Sequence, residues 1–161
     1  MPISPGQKFP SVTIKRATPS GGEEVDPAAL FAGKRVVLFS LPGAFTPTCS
    51  AKHLPGYLAR YDELRKKGVD LIACLSVNDA YVMQAWADAN QVGDKILMLA
   101  DGSGLLTKAL GIESDLTAKN MGVRARRGVL TIEDGVVQSS EFEAPGQFDV
   151  SSAEACLLRL G

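Results

Sequence analysis

Cys49 is the residue whose type and setting could do chemistry. It ends the loop Pro42–Gly43–Ala44–Phe45–Thr46–Pro47–Thr48, and a helical pattern follows it. Its thiol therefore belongs to the start of a helix, where unpaired N–H groups and the positive end of the dipole favour negative charge. The thiolate is the reactive form of cysteine, and few backbone positions stabilise it. The alternative is a buried core thiol, which the loop and helix start argue against. His53, four residues on along the same helical face, raises a Cys–His pair or a zinc ligand. One histidine and no paired-cysteine motif supply too few ligands for a zinc site, so His53 reads as a helix-surface or interface residue.

The elements that must hold this loop can be read on either side of it. Val36–Leu41 is a short apolar run rich in β-branched and aromatic residues, a buried strand that ends in the loop. Behind Cys49, Leu54, Tyr57, Leu58, Tyr61 and Leu64 recur at helical spacing up to Lys66–Lys67–Gly68. Pro55 interrupts that helix early, which should partly uncouple the turn carrying Cys49 from the rest. Val69–Val77 and Ile96–Ala100 are two further continuous apolar runs separated by a helix, as expected of parallel strands covered on both faces.

Near the N-terminus, Gly6 to Ile14 suggests one strand, Thr18–Glu24 a turn, and Val25 the start of a return. Asp26–Pro27 then reads as cap and first position of a short helix. Residues 112–123 look irregular. Arg127–Ile132 and Val136–Gln138 form a hairpin around Asp134–Gly135, and Ser151–Ser152–Ala153–Glu154 reads as a capping box opening a last helix. The expectation is an α/β chain with a thioredoxin-like fold: a mixed central sheet flanked by helices, with an N-terminal extension and a C-terminal β-hairpin plus helix. One domain is expected over residues 1–161.

Bulk properties exclude several classes of function. With 45% hydrophobic residues, 22% charged and a net charge of −1, the chain has an ordinary globular composition without a clustered basic patch for nucleic acid. No apolar run approaches the roughly 20 residues that span a bilayer. Met1–Gly6 shows no basic flank or apolar h-region of a secretory signal. Three cysteines without a C-x-x-C suit a reducing compartment, expected to be the cytoplasm, with a mature organellar form as the alternative.

The string Pro42–Gly43–Ala44–Phe45–Thr46–Pro47–Thr48–Cys49–Ser50, with Lys52–His53–Leu54–Pro55–Gly56 behind it, resembles the peroxiredoxins, in particular the plant type II and animal atypical two-cysteine subfamily. The likeness continues through Cys74–Asp79, Ala100–Gly104, Gly122–Arg127 and Ser151–Glu154. It implies a thiol peroxidase on a thioredoxin-like fold that reduces hydrogen peroxide and alkyl hydroperoxides, without metal or organic cofactor. Cys49 matches the peroxidatic cysteine, which becomes a sulfenic acid. Thr46 matches the hydroxyl that orients the peroxide and Pro42 the residue shielding the pocket. Arg127 matches the arginine at the thiolate; Arg124 and Arg126 compete for that post, and both the strand start and the family pattern favour Arg127. The subfamily usually has a bulky aromatic residue after this arginine, and here Gly128 stands there.

Cys74 matches the resolving cysteine proposed for the plant branch, yet it lies in a strand read as doubly buried, so resolving and structural roles both stand. Cys156 falls on an apolar helix stripe and reads as core. Neither looks exposed, so an external donor, glutaredoxin with glutathione or thioredoxin, is expected. A homodimer is expected as well, with neither nucleic acid nor membrane among the partners. The alternative function on the same residues is a redox sensor that signals through oxidation of Cys49.

Overall fold

The three continuous apolar runs form the centre of the sheet. The computed structural model describes residues 1–160, and of Cys49 it describes the backbone alone. In chain order the strands are β1 (Ile14–Thr18), β2 (Gly21–Val25), β3 (Arg35–Ser40), β4 (Leu71–Ser76), β5 (Leu97–Ala100), β6 (Glu113–Asp115), β7 (Val123–Ala125), β8 (Gly128–Glu133) and β9 (Val136–Phe142). The α-helices are α1 (Pro27–Phe31), α2 (Leu54–Ala59), α3 (Tyr61–Lys66), α4 (Ala80–Ala89), α5 (Leu105–Ala109) and α6 (Ala153–Leu160).

Seven strands make one sheet in the order β2-β1-β5-β4-β3-β8-β9. Strand β4 runs parallel to both β3 and β5, while β8 is antiparallel to β3 and β1 to β5. This is the mixed, helix-flanked, thioredoxin-like α/β architecture. Its central strands are continuous because both faces are covered. Val37 and Phe39 of β3 pack with Tyr57, Trp86 and Cys156 on one face. Val36 and Leu38 pack with Phe31, Leu106 and Leu110 on the other. Each such fully buried side chain stabilises the fold by about 1.5–3 kcal/mol.

Register decides what meets the loop after β3. Ser40, the last residue of β3, pairs with Leu75 on one side and with Gly128 on the other. Residues 40–49, the end of β4 and the residues before β8 therefore converge at the carboxyl end of the parallel strands, where open α/β sheets place their ligands.

Several elements differ from the expectation. The first strand starts only at Ile14, and Val25 ends a hairpin strand instead of beginning one. Residues 112–123 are not wholly irregular, since β6 and β7 pair across a short 3-10 turn at Thr117–Lys119. The helix after Cys49 departs from regular α geometry twice. Cys49–His53 is one turn of π-helix ahead of α2, whose second residue is Pro55, and α2 gives way to α3 at Arg60 (φ −100°, ψ 10°). Pro55 cannot donate to the carbonyl four residues back, and the turn carrying Cys49 joins α2 through π-type spacing in a helical run that continues from Pro47 to Ala59. The last helix is capped by Ser152, whose Oγ accepts the Ala155 N–H at 3.1 Å. Ser151 is not the cap, because its hydroxyl is engaged elsewhere.

Gly128 also finds its explanation in register. Its cross-strand partner is Phe142, and a Cβ at position 128 would lie 2.3 Å from a ring carbon of that residue. The Phe142 ring fills the space that a side chain at position 128 would need.

Candidate active site

The loop delivering Cys49 is held by its neighbours' polar groups. Asn78 Oδ1 accepts the Ala44 N–H at 2.9 Å, fixing the loop to the end of β4. The next residue, Asp79, caps α4 by accepting the Val82 N–H. Arg124 donates from Nη1 to the Pro42 carbonyl (3.1 Å) and from Nε to the Met121 carbonyl (2.9 Å). Gly43 leaves room for that guanidinium, since a Cβ there would lie 2.7 Å from Arg124 Nη1 and push the arginine's end aside. Behind the loop, Trp86 Nε1 donates to Ser50 Oγ at 3.0 Å and holds the turn against α4.

A cavity of about 550 Å³ opens beside this turn, with Pro42, Thr46, Thr48 and Arg127 in its wall. Thr46 donates its hydroxyl proton to the Gly43 carbonyl at 2.7 Å. With that proton engaged, its oxygen offers lone pairs to an incoming O–H. The backbone of Cys49 lies in the helical turn that begins at Pro47. The expected exposure of its thiol lies outside the described residues.

Geometry separates the three arginines. Arg124 clamps the loop. Arg126 donates from Nε to the Glu143 carbonyl at 3.1 Å and lies over the Phe142 ring at 5.6 Å. Arg127 donates from Nη1 to Nδ1 of His53 at 2.8 Å. An arginine can only donate, so Nδ1 holds a lone pair and the ring proton sits on Nε2, which donates to the Ser151 carbonyl at 3.1 Å.

His53 is thus not the surface residue that the sequence suggested. It is fully buried, with Phe39 and Phe148 against its ring at centroid distances of 5.0 and 5.2 Å. Burial, then the Arg127 charge, lowers its pKa from 6.5 to about 3, so it is neutral at any physiological pH.

One group that sequence reasoning missed closes this region. Glu143 is buried, and its Oε2 accepts from the N–H groups of Asp149 (2.6 Å) and Ser151 (2.8 Å) and from Ser151 Oγ (2.7 Å). Its own N–H donates to the Arg127 carbonyl at 2.9 Å. The spacing of Cys49, His53 and Tyr57 put His53 on one helical stripe, a signal that was present; nothing local marks Glu143.

The other two cysteines are fully buried. Cys74 sits in mid-sheet, between Phe39 and Met98 in register. Cys156 packs under α2, where burial raises its pKa to about 11.

A sheet of this order, with a cysteine entering a helical turn at the carboxyl end of its parallel strands, defines a thioredoxin-fold thiol protein. The family model described as Redoxin matches residues 4–157. The chain is 51% identical to Peroxiredoxin-2E-2, chloroplastic, of Oryza sativa subsp. japonica, over 98% of this chain and 72% of the relative. It is 43% identical to Peroxiredoxin-2D of Arabidopsis thaliana over 99% of each. Among solved structures, reduced Prx3 of Vibrio vulnificus in complex with H2O2 is 51% identical and superposes with a TM-score of 0.93, covering 99% of both chains. The chain belongs to the peroxiredoxin family. It is a thiol peroxidase, an oxidoreductase with an antioxidant role.

Proposed function

We propose that the chain reduces hydrogen peroxide and alkyl hydroperoxides at Cys49, with Thr46, Pro42 and Arg127 as its partners in the site. The observation that carries this is the shared cavity: Pro42 and Thr46 from the loop after β3, and Arg127 from just before β8, line one wall beside the turn of Cys49. The thiolate sulfur attacks one peroxide oxygen, an S–O bond forms as the O–O bond breaks, and the electron pair leaves on the second oxygen. The proton of the attacked hydroperoxide group passes to that oxygen, giving water or an alcohol and a sulfenate, which takes a proton from solvent to become the sulfenic acid. Charge moves toward the departing oxygen, where the Arg127 guanidinium favours it. Pro42 limits water at the sulfur. The structural relative captured with H2O2 supports the substrate class.

An external thiol then attacks the sulfenic sulfur, water leaves, and a mixed disulfide remains for a second thiol to reduce. Glutaredoxin with glutathione, or thioredoxin, fits this step because neither Cys74 nor Cys156 is exposed. Cys156, with its pKa raised to about 11, is a poor attacking thiol at neutral pH. A resolving role for Cys74 would require β4 or the Cys49 turn to open. A homodimer is part of the same reading, supported by the exposed Phe45 and Val123 on the loop and strand that Arg124 ties together.

Mass spectrometry after one equivalent of hydrogen peroxide tests the assignment. One added oxygen on the Cys49 peptide, with no internal disulfide, is expected. Oxygen on another cysteine would overturn the site, and a disulfide from Cys49 to Cys74 would overturn the external donor. Thr46→Val should lower the second-order rate constant by roughly 10²-fold while Thr46→Ser keeps most of it. Equal rates for the valine variant and the parent would remove Thr46 from the site.

A further inference from the structure

The cavity beside the Cys49 turn is far larger than the smallest substrate proposed for it. A water molecule takes up about 30 Å³ of the liquid, so hydrogen peroxide, with its second oxygen, needs roughly twice that. The cavity holds about 550 Å³, in the range of sites that enclose organic molecules. Much of the remaining wall comes from segments that the chemistry at Cys49 does not use. Leu116, Lys119 and Met121 enter it from the turn between β6 and β7. Arg124 fixes that turn, donating both to the Met121 carbonyl and to the Pro42 carbonyl of the active-site loop. Arg126 enters nearby, with Nε on the Glu143 carbonyl and its guanidinium over the Phe142 ring. Neither Lys119 nor Arg126 has an ion pair among the described residues. Asp115, the carboxylate nearest to Lys119 along the chain, is turned to the N–H and hydroxyl of Thr117. Glu143 is the sole carboxylate in this wall, and its Oε2 is committed to Asp149 and Ser151.

We infer that Lys119 and Arg126 form a carboxylate subsite, through which the cavity selects hydroperoxides whose hydrocarbon body carries a carboxylate. The inference rests on the reading of Cys49 as the reacting sulfur beside this cavity. Charge sets the class of ligand. Lys119, Arg126 and Arg127 against Glu143 leave two positive charges in the wall, and the Cys49 thiolate offsets one of them. A single carboxylate balances the other, whereas a dianionic phosphate would leave excess negative charge beside the thiolate. A guanidinium also presents paired N–H groups that match the two oxygens of a carboxylate. Leu116 and Met121 offer apolar surface to the hydrocarbon between the two ends of such a molecule. The carboxylate takes no part in breaking the O–O bond. It decides which hydroperoxide reaches the sulfur.

The probes are γ-hydroperoxy-γ-methylvalerate and its methyl ester, which differ in that charge and a methyl group. Stopped-flow rate constants for oxidation of the reduced protein are expressed as a ratio, acid over ester, within each variant, so a general loss of activity cancels. The wild type should prefer the acid by roughly tenfold at low salt. That preference should shrink toward unity near about 1 M sodium chloride, where the Debye length is about 3 Å. Lys119→Gln and Arg126→Gln should each lower the ratio about threefold, and the double variant should bring it to about one. Lys119→Glu, a change on an exposed turn, should abolish the preference, and it carries the test if an Arg126 variant does not fold. A ratio near one in the wild type, or a wild-type ratio in Lys119→Glu, would overturn the subsite and leave Cys49 as the reacting sulfur. If acid, ester and hydrogen peroxide all failed to oxidise Cys49, the reading of the site itself would fall, and the subsite with it.

Discussion

Cys49→Ser is expected to bring peroxide consumption down to the rate of protein-free buffer, because no group in the site can make serine a substitute nucleophile. A thiol loses its proton near pH 8.5 and lower still at a helix start, whereas a serine hydroxyl stays protonated unless a base removes the proton. The only imidazole in the chain is four residues away and is fully engaged. Its Nδ1 lone pair takes the Arg127 hydrogen bond, and its Nε2–H is given to the Ser151 carbonyl. With a pKa of about 3, it would also be a feeble base. The same geometry disposes of the Cys–His protease-like pair that the spacing of residues 49 and 53 suggested. The measurement is the loss of hydrogen peroxide with reduced protein in excess, followed by stopped flow for wild type and the serine variant. Substantial peroxide turnover by the variant would place the reacting sulfur elsewhere, and Cys74 would then have to be exposed by local opening.

The parts of this molecule that could be read from sequence are those fixed by short-range pattern. Strands β3, β4 and β5 are continuous apolar runs because both faces are covered, so period-two alternation is absent and length alone marks them. The hairpin β1–β2 escaped because it lies at the sheet edge and most of its residues are only partly covered or exposed, leaving no apolar pattern. Strands β6 and β7 are three residues each and mostly solvated. Cys49, Thr46 and Pro42 share one loop and were legible together.

Arg127 was favoured over Arg124 and Arg126 by the strand start and by likeness to the family, while what places it beside the loop, the pairing of Ser40 with Gly128 across the sheet, lies outside any local window. His53 was misread for a related reason. What buries it is Phe148 and the Ser151 carbonyl, which arrive almost a hundred residues later in the chain. No local window contains that information.

The buried imidazole should also leave a mark on stability. His53 has its pKa lowered from 6.5 to about 3, by burial first and by the Arg127 charge second, with the Ser151 carbonyl and Glu143 opposing. Between those values the unfolded chain binds a proton at His53 that the folded chain refuses. Stability therefore falls as the pH drops below about 6.5, by on the order of 1 kcal/mol per pH unit, and the dependence ends near pH 3. Glu143 acts in the same sense at lower pH. Burial works against its charge, but the hydrogen bonds from Ser151 and Asp149 outweigh it and hold the pKa below 4.5, so its contribution is present above that value and lost beneath it. Urea unfolding between about pH 7 and about pH 5 isolates the histidine, because Glu143 stays ionised there. Over that interval the wild type should lose on the order of 2 kcal/mol more than His53→Leu, which has no proton to refuse. Parallel losses in the two proteins would mean that the imidazole takes up its proton while folded. The lone pair holding Arg127 would then be absent in mild acid, and the arginine would be released together with the segment from Glu143 to Ser151.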